Sequence, residues 1–238
     1  MSSDLHPLIL GHRGASVSAP DNSLQAYSLA VAANADGIEL DVRRTADHAM
    51  ILHHDAAADP PGRFVDLTFD EIRASAPEVP TLDEMLAVTG DLLLDVEIKN
   101  SERDPDFDPN HRLADQVVAW IQTHELHARS IVSSFNWDTV ARVRLLDPLI
   151  PTGQLIAGLG TMEGQVAAVA ARGHEWILPA NPMLGTNPAE QIAIAHAQGL
   201  RVMVWTVDDP ERMVELAAAN IDGIITNDPA LAHDTLAR

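Results

Sequence analysis

Short runs of apolar and often β-branched residues alternate along the 238-residue chain with longer segments whose apolar positions recur at helical spacing. The short runs predict strands at Leu8–Gly11, Gly37–Val42, Met50–His53, Leu92–Ile98, Ser130–Phe135, Thr152–Ile156, Trp176–Ala180, Arg201–Thr206 and Gly223–Thr226. The longer segments predict helices at Ser23–Ala35, Leu82–Thr89, Arg112–His124, Asp138–Leu146, Met162–Arg172, Pro188–Gln198, Pro210–Ala219 and Pro229–Leu236.

A strand followed by a helix, repeated about eight times, indicates an α/β protein and favours a (β/α)8 TIM barrel. A doubly wound open sheet is the alternative, because alternation alone does not show that the sheet closes. The chain has no glycine-rich fingerprint of the dinucleotide or P-loop type that would support an open sheet. We therefore expect one TIM-barrel domain over residues 1–238.

Two stretches are longer than ordinary barrel loops. Ala56–Pro80 is rich in Pro, Asp and Ala, and it predicts a small insertion after the second strand region, over one end of the barrel. Asn100–Asn110 is polar and predicts a rim or lid.

Polar residues also mark where several helices begin and end. Asn22, Asn187 and Asp209 are predicted N-caps, and the segment from Thr81 predicts a capping box. Gly199 fits a left-handed residue after a helix.

Charged side chains alternate with aliphatic ones in two of the predicted strands. Glu39 and Asp41 share one face of the second strand, and Asp95, Glu97 and Lys99 share one face of the strand that ends at Ile98. If the aliphatic residues pack outward against helices, these charges point into the barrel. Ionised groups buried there are very costly unless they are paired or bound to a metal.

Glu39, Asp41 and Glu97 supply hard oxygen ligands, which suit Mg²⁺ or Ca²⁺ better than a soft metal. Lys99 and Arg13 add positive charge for an anion held at that site. Such a combination of a cation site and basic residues is typical of phosphoryl transfer.

Histidines at strand ends are the side chains best suited to move protons near neutral pH. His12 ends the first strand and His54 follows the third apolar run, where parity turns His53 to the opposite side. Asp55 is a candidate brace for a histidine or a loop. Asp95 lies deeper in its strand than Glu97, which favours a structural carboxyl over a ligand.

Composition narrows the classes of partner. The chain carries 15 Lys plus Arg against 35 Asp plus Glu, a formal charge of −20, so we expect no nucleic acid and no anionic membrane surface as partners. It has no cysteine, which excludes disulfides and thiolate zinc sites. Lys99 is its only lysine.

No segment reads as a membrane span or a targeting signal. The longest apolar runs fall short of the about 18 residues that a span needs. Met1–Asp4 lacks the basic start of a signal peptide, and Leu8–Leu10 is stopped by Gly11. We expect a cytoplasmic protein, and the sequence leaves its oligomeric state open.

Several motifs together resemble the glycerophosphodiester phosphodiesterase family. They are His12-Arg13-Gly14-Ala15, Ala19-Pro20-Asp21-Asn22-Ser23, Asp36-Gly37-Ile38-Glu39-Leu40-Asp41-Val42, His54-Asp55, Val79-Pro80-Thr81-Leu82-Asp83-Glu84, Glu97-Ile98-Lys99, Ser133-Ser134-Phe135, Trp205-Thr206-Val207 and Asp222-Gly223-Ile224-Ile225-Thr226-Asn227. They run in order over nearly the whole chain.

The resemblance implies a TIM barrel that uses a divalent cation to hydrolyse glycerophosphodiesters to an alcohol and glycerol 3-phosphate, in lipid and glycerol metabolism. It also implies roles for particular residues: His12 and His54 as the acid/base pair, Glu39, Asp41 and Glu97 as metal ligands, Arg13 and Lys99 as phosphate contacts, and Phe135 and Trp205 as apolar walls for the substrate. The resemblance leaves two points open. The attacking nucleophile is either water or a hydroxyl of the substrate, and either histidine can be the acid or the base.

The chain departs from the family pattern in two places. The family usually has Glu and Thr where Asp21 and Ser23 stand, and commonly Asp where Asn227 stands.

Two other functions stay open at this point. Lys99 could be the Schiff-base amine of a barrel aldolase, although that leaves the carboxylates and histidines unexplained. The second alternative is a barrel that binds phosphodiesters without cleaving them. Such a protein would be expected to lack a catalytic histidine or a metal ligand, and none is missing here.

Overall fold

The computed structural model describes residues 6–158 and 160–236, so Met1–Asp4 and both ends of the expected 1–238 domain lie outside the described residues. Its strands are β1 (Leu8–His12), β2 (Gly37–Arg44), β3 (Met50–Leu52), β4 (Ala57–Ala58), β5 (Gly62–Arg63), β6 (Leu93–Ile98), β7 (Ser130–Ser134), β8 (Thr152–Ile156), β9 (Trp176–Pro179), β10 (Arg201–Val204) and β11 (Gly223–Thr226). Its α-helices are α1 (Leu24–Ala32), α2 (Phe69–Ser75), α3 (Leu82–Thr89), α4 (Arg112–Thr123), α5 (Trp137–Leu146), α6 (Met162–Ala171), α7 (Pro188–Ala197), α8 (Pro210–Ala218) and α9 (Pro229–Thr235).

Eight of these strands form a closed parallel barrel. The strand order is β1-β11-β10-β9-β8-β7-β6-β2, and β1 also pairs with β2, which closes the sheet. The TIM barrel is therefore confirmed, and the open-sheet alternative is wrong.

The barrel interior changes character along its axis. Leu10, Ile131, Leu178, Met203 and Ile225 belong to one buried apolar cluster inside it. Toward the carboxyl ends of the strands the inward positions become charged, as the strand parity predicts. Two further apolar clusters, to which the helices contribute, are built on the outward side chains of the strands. The polar end is thus the place where a site can form without weakening the core.

The predicted insertion has structure of its own. β3 was predicted as a strand, but it lies outside the barrel and pairs antiparallel with the end of β2. β4 and β5 form a two-stranded hairpin, and α2, which was not predicted, begins at a capping box of Thr68 and Glu71. Ile51, Phe64 and Ile72 belong to a small core beneath these elements.

One of the predicted helix caps is wrong. Ser23, not Asn22, caps α1, and its side chain accepts a hydrogen bond from the Ala26 amide. The capping box at Thr81 and the cap at Asp209 are confirmed, whereas Asn187 occupies the N-cap position without a capping side-chain bond. Gly199 follows α7 with φ +78°, as predicted. None of the helices in residues 6–158 and 160–236 is long and apolar enough to span a bilayer.

Candidate active site

The turn after β1 carries the first two functional side chains. Gly14 adopts φ +88°, and a Cβ there would stand 2.6 Å from the backbone carbon of Ala26, so only glycine fits. The Arg13 amide donates to the Glu39 backbone oxygen at 2.9 Å and to Glu39 Oε2 at 3.1 Å. The turn is therefore fastened to β2, and it fixes the position of His12 relative to that strand.

Three carboxylates meet at the polar end of the barrel. Glu39 and Asp41 point inward from β2, and Glu97 lies opposite Asp41 in the register with β6. Each offers an oxygen within 4.8 Å of the others, and all three residues are buried. The structure thus brings together the three predicted metal ligands, which we call the carboxylate triad.

The charges of the triad fit a bound cation. Burial, followed by the charges of Asp41 and Glu97, raises the pKa of Glu39 well above its usual range. Burial also raises the pKa of Glu97 to about 7, against the opposing effect of Lys99. Two of the three carboxylates, Glu39 and Glu97, thus ionise with difficulty without a positive ion nearby, and oxygen donors suit Mg²⁺ or Ca²⁺.

Two basic side chains lie against the triad. Lys99 Nζ is 2.8 Å from Glu97 Oε1 and 3.3 Å from Asp41 Oδ1, and Arg13 Nε is 3.0 Å from Asp41 Oδ2. Burial alone would raise the pKa of Asp41, but Lys99 and Arg13 outweigh it and hold that pKa below its usual value.

The same contacts keep Lys99 charged. Burial would lower the pKa of Lys99, but Glu97 and Asp41 more than compensate and raise it. A Schiff-base amine must be neutral to attack a carbonyl group. The environment of Lys99 therefore disfavours the aldolase alternative.

Asn22 supports the triad, a role that the sequence analysis missed. Its Nδ2 donates to Asp41 Oδ2 at 2.8 Å, and its Oδ1 accepts from the Asp41 amide at 3.2 Å and the Tyr27 hydroxyl at 2.9 Å. The residue adopts φ +54°, a conformation that Asn tolerates better than most residues. The Pro-Asp-Asn turn was the signal that could have identified it.

His12 is oriented from behind by an amide. Its Nδ1 is 2.7 Å from Asn227 Oδ1, while Asn227 Nδ2 donates to Asp208 Oδ2 at 2.6 Å. Because the amide oxygen faces His12, Nδ1 carries a proton and Nε2, 3.9 Å from Glu39 Oε2, faces the triad. Burial, followed by the neighbouring charge of Arg13, lowers the pKa of His12.

His54 is the more open of the two predicted acid/base histidines. Its side chain is 42% exposed, and its Nδ1 is 2.8 Å from Asp55 Oδ1, so Asp55 braces it. His53 points elsewhere, with its ring 4.8 Å from that of Phe64 in the insertion. The opposite orientations of His53 and His54 agree with the strand parity.

Two cavities are lined by the basic side chains and histidines of the site. The first, of about 480 Å³, is lined among others by His54, Glu97, Lys99 and Phe135. Trp205 stands edge-to-face against Phe135, with the ring centroids 5.6 Å apart. The second cavity, of about 430 Å³, is lined by residues that include His12, Arg13, Asp21, Asp208, Asn227 and Leu231. The basic side chains and the histidines are thus divided between the two cavities, with Lys99 and His54 at the first and Arg13 and His12 at the second.

Asp95 lies deeper than the triad and is fully buried. Burial raises its pKa to about 7, with Ser133 acting in the opposite direction. Asp95 is not among the carboxylates whose oxygens cluster, which agrees with its prediction as a structural carboxyl.

Comparison with known proteins gives a consistent result. The family model described as the glycerophosphoryl diester phosphodiesterase family matches residues 12–231. A glycerophosphodiester phosphodiesterase of Caldanaerobacter subterraneus subsp. tengcongensis is 28% identical over 239 residues, which cover 93% of this chain and 94% of that protein.

Solved structures agree with the fold. The crystal structure of a glycerophosphodiester phosphodiesterase from Thermotoga maritima superposes with a TM-score of 0.80 at 26% identity, over 95% of this chain and 96% of the other. An Oleispira antarctica phosphodiesterase in complex with the product sn-glycerol-3-phosphate has the same fold, with a TM-score of 0.80 at 19% identity over 98% of each chain. The chain belongs to the glycerophosphoryl diester phosphodiesterase family.

Proposed function

We propose that this chain cleaves glycerophosphodiesters to an alcohol and glycerol 3-phosphate at the polar end of its barrel, with His12 and His54 as the acid/base pair. The observation that carries the proposal is the meeting of a buried carboxylate triad with two basic side chains and two histidines, which also line two cavities. The Oleispira antarctica phosphodiesterase, which holds sn-glycerol-3-phosphate, supports the same product class.

Glu39, Asp41 and Glu97 would hold a divalent cation, Mg²⁺ or Ca²⁺. Such a cation, when bound, polarises phosphoryl oxygens and makes a coordinated hydroxyl more acidic. Asn22 keeps the Asp41 carboxylate oriented toward the site, since it binds both the side chain and the amide of that residue.

Lys99 and Arg13 would bind the phosphoryl oxygens. Both lie against the triad, and the raised pKa of Lys99, in which Glu97 and Asp41 outweigh burial, keeps it protonated. In this position they stabilise the negative charge that develops on the phosphoryl oxygens in the transition state. Phe135, which lines the first cavity, and Trp205, which packs edge-to-face against it, would form an apolar wall for the glycerol or the alcohol arm.

The environments of the two histidines suggest a division of labour. The lowered pKa of His12, due to burial and Arg13, keeps its imidazole neutral near pH 7, which suits a general base for the attacking hydroxyl. That hydroxyl belongs to water or to the glycerol arm of the substrate. His54, more open and braced by Asp55, would then donate a proton to the leaving alcohol.

The direct test measures release of glycerol 3-phosphate from glycerophosphocholine, glycerophosphoethanolamine and glycerophosphoglycerol. We expect EDTA to abolish turnover and Mg²⁺ or Ca²⁺ to restore it. Glu97→Gln should lower turnover by orders of magnitude and raise the cation concentration needed, without unfolding the barrel. Glu175→Gln, a carboxylate beside Arg144 at the start of β9, is the matched control.

Two results would overturn the proposal. Full activity in chelator would remove the metal from the mechanism. Tight binding of glycerol 3-phosphate without turnover of any of the three diesters would favour the non-catalytic binding barrel.

A further inference from the structure

Arg43 is a buried charge next to the site that none of the proposed roles uses. It follows Glu39 and Asp41 at the same parity of β2, so it lies one layer above the carboxylate triad, and it is 3% exposed. A guanidinium so deeply buried is costly unless its N–H groups are satisfied. Its partners therefore indicate what it is for.

Two of its hydrogen bonds hold the main chain at His54. Nε donates to the His54 carbonyl oxygen at 2.9 Å and Nη2 donates to the same oxygen at 2.6 Å. His54 lies beyond the end of β3, so no strand pairing fixes its carbonyl group. Arg43 supplies that missing anchor from the strand that carries Glu39 and Asp41.

The other hydrogen bonds reach the polar loop between β6 and α4. Nη1 donates to both carboxylate oxygens of Asp106, at 2.9 and 2.8 Å, and Nη2 donates to Asp104 Oδ2 at 3.2 Å. Asp104 lines the first cavity together with His54. Each of the three guanidinium nitrogens thus donates to an acceptor of the protein.

We propose that Arg43 is a positioning residue, which sets the height of His54 above the carboxylate triad and is itself clamped by Asp104 and Asp106. The inference rests on the proposed role of His54. Bidentate contact from a planar guanidinium fixes both distance and direction, whereas a lysine ammonium keeps the charge and a contact but sets the direction less strictly. A displacement of about 1 Å at a proton-transferring group can cost about 10²-fold in rate.

A double-mutant cycle between Arg43 and His54 tests this. We expect Arg43→Gln to lower kcat for glycerophosphocholine at least tenfold, with KM changed less than about threefold. In the His54→Ala background the same substitution should lower kcat less than twofold, because the group that Arg43 positions is absent. Arg43→Lys should recover part of the lost kcat.

If the double variant lost kcat by the product of the two single losses, the proposed role of Arg43 would be wrong. A change in KM with no change in kcat would also overturn it. If His54→Ala retained full activity, the proposed function of His54 would fail instead, so the two failures are distinguishable.

A second variant keeps the test valid if Arg43→Gln does not fold. Asp106 contacts Arg43 at one edge of the guanidinium, and Asp106→Asn leaves the bonds to the His54 carbonyl in place. We expect a several-fold loss of kcat that also disappears in the His54→Ala background, and persistence of the loss there would contradict the proposal. Arg142→Gln, which breaks an Arg–Asp pair with Asp115 outside the site, should leave kcat unchanged.

Discussion

Asp41 and Asp95 are both fully buried on adjacent barrel strands, yet they ionise differently. Lys99, Arg13 and the Asn22 amide outweigh the burial of Asp41 and lower its pKa. No basic side chain of the described residues offsets the burial of Asp95, which raises its pKa to about 7. The neighbours of each carboxyl, more than its depth, decide which one is an anion ready to bind a cation.

The two histidines should respond differently to the leaving group. Because His54 is proposed to protonate the leaving alcohol, His54→Ala should cost about 10²-fold with glycerophosphocholine but much less with a p-nitrophenyl diester, whose leaving group needs no proton. His12→Ala should cost about the same with both. His53→Ala, whose ring packs on Phe64, serves as the control and should be nearly silent. Equal losses at His54 with both substrates would contradict its role as the acid.

Substitutions of Lys99 separate charge from shape. Lys99→Met should remove most of the turnover, because the site loses a cation that faces the phosphoryl group. Lys99→Arg should restore only part of it, since the longer, forked guanidinium does not fit a contact made by a compact ammonium. Borohydride trapping with carbonyl substrates should give no adduct at this single lysine, as mass spectrometry can check. An adduct would revive the aldolase.

At the scale of elements, neighbouring residues at the start of α1 have different roles, one in capping the helix and one in supporting the site. Ser23 caps the helix, and its neighbour Asn22 holds Asp41. Ser23→Ala should lower the free energy of unfolding by about 1 kcal/mol and leave kcat unchanged. Asn22→Ala should reduce kcat and weaken cation binding, because Asp41 loses two hydrogen bonds.

Urea denaturation and steady-state kinetics on the two variants provide the measurement. A loss of activity in Ser23→Ala equal to that in Asn22→Ala would mean that the turn acts only by keeping the helix in place.

Most barrel elements follow from the sequence because strand and helix periodicities differ so clearly. The alternation of Glu39 and Asp41 with aliphatic residues also predicts that the triad lies inside the barrel. α2 was missed because it is a seven-residue helix within a segment whose Pro, Asp and Ala content suggests a loop. Asn22 was mistaken for a cap because Asn and Ser are both good caps and stand side by side.

Other contacts were beyond prediction because they join residues far apart in the chain. Arg43 contacts Asp104 and Asp106, which lie about 60 residues further along the chain, and no local sequence pattern predicts that contact. His12 and Asn227 lie 215 residues apart and meet only because β1 and β11 are neighbours in the closed barrel. Parity can say which way a side chain points, whereas its partner depends on how the barrel closes.

At the scale of the whole molecule, acidic groups repel one another inside the barrel. The net charge is −20, and four of the acidic residues, Asp95 and the triad, are buried in the barrel interior. Burial raises the pKa of Asp95 to about 7, far above the ordinary value of 3.8 that an unfolded chain would show. Between about pH 4 and pH 7 the unfolded state therefore binds fewer protons at this residue than the folded state, and this contribution to stability falls as the pH rises.

Asp95→Asn should remove this pH-dependent loss, since the amide resembles the protonated carboxyl. In chelator, the free energy of unfolding of the variant relative to the natural chain should rise between pH 5 and pH 7 by at most about 1.4 kcal/mol per pH unit, and level off by pH 8. Urea denaturation of both proteins at pH 5, 6, 7 and 8 measures the difference in their free energies of unfolding. Because both proteins contain His12 and the other titrating groups, the contributions of those groups largely cancel in the difference.

The exposed Asp59 offers a matched control, because Asp59→Asn should change stability little at any pH. A constant difference between Asp95→Asn and the natural chain from pH 5 to pH 8 would show that Asp95 ionises no differently in the folded barrel than in the unfolded chain. Burial and the neighbouring carboxyls would then not hinder ionisation inside the barrel, and the argument that the acidic groups there need a cation to offset their repulsion would lose its support.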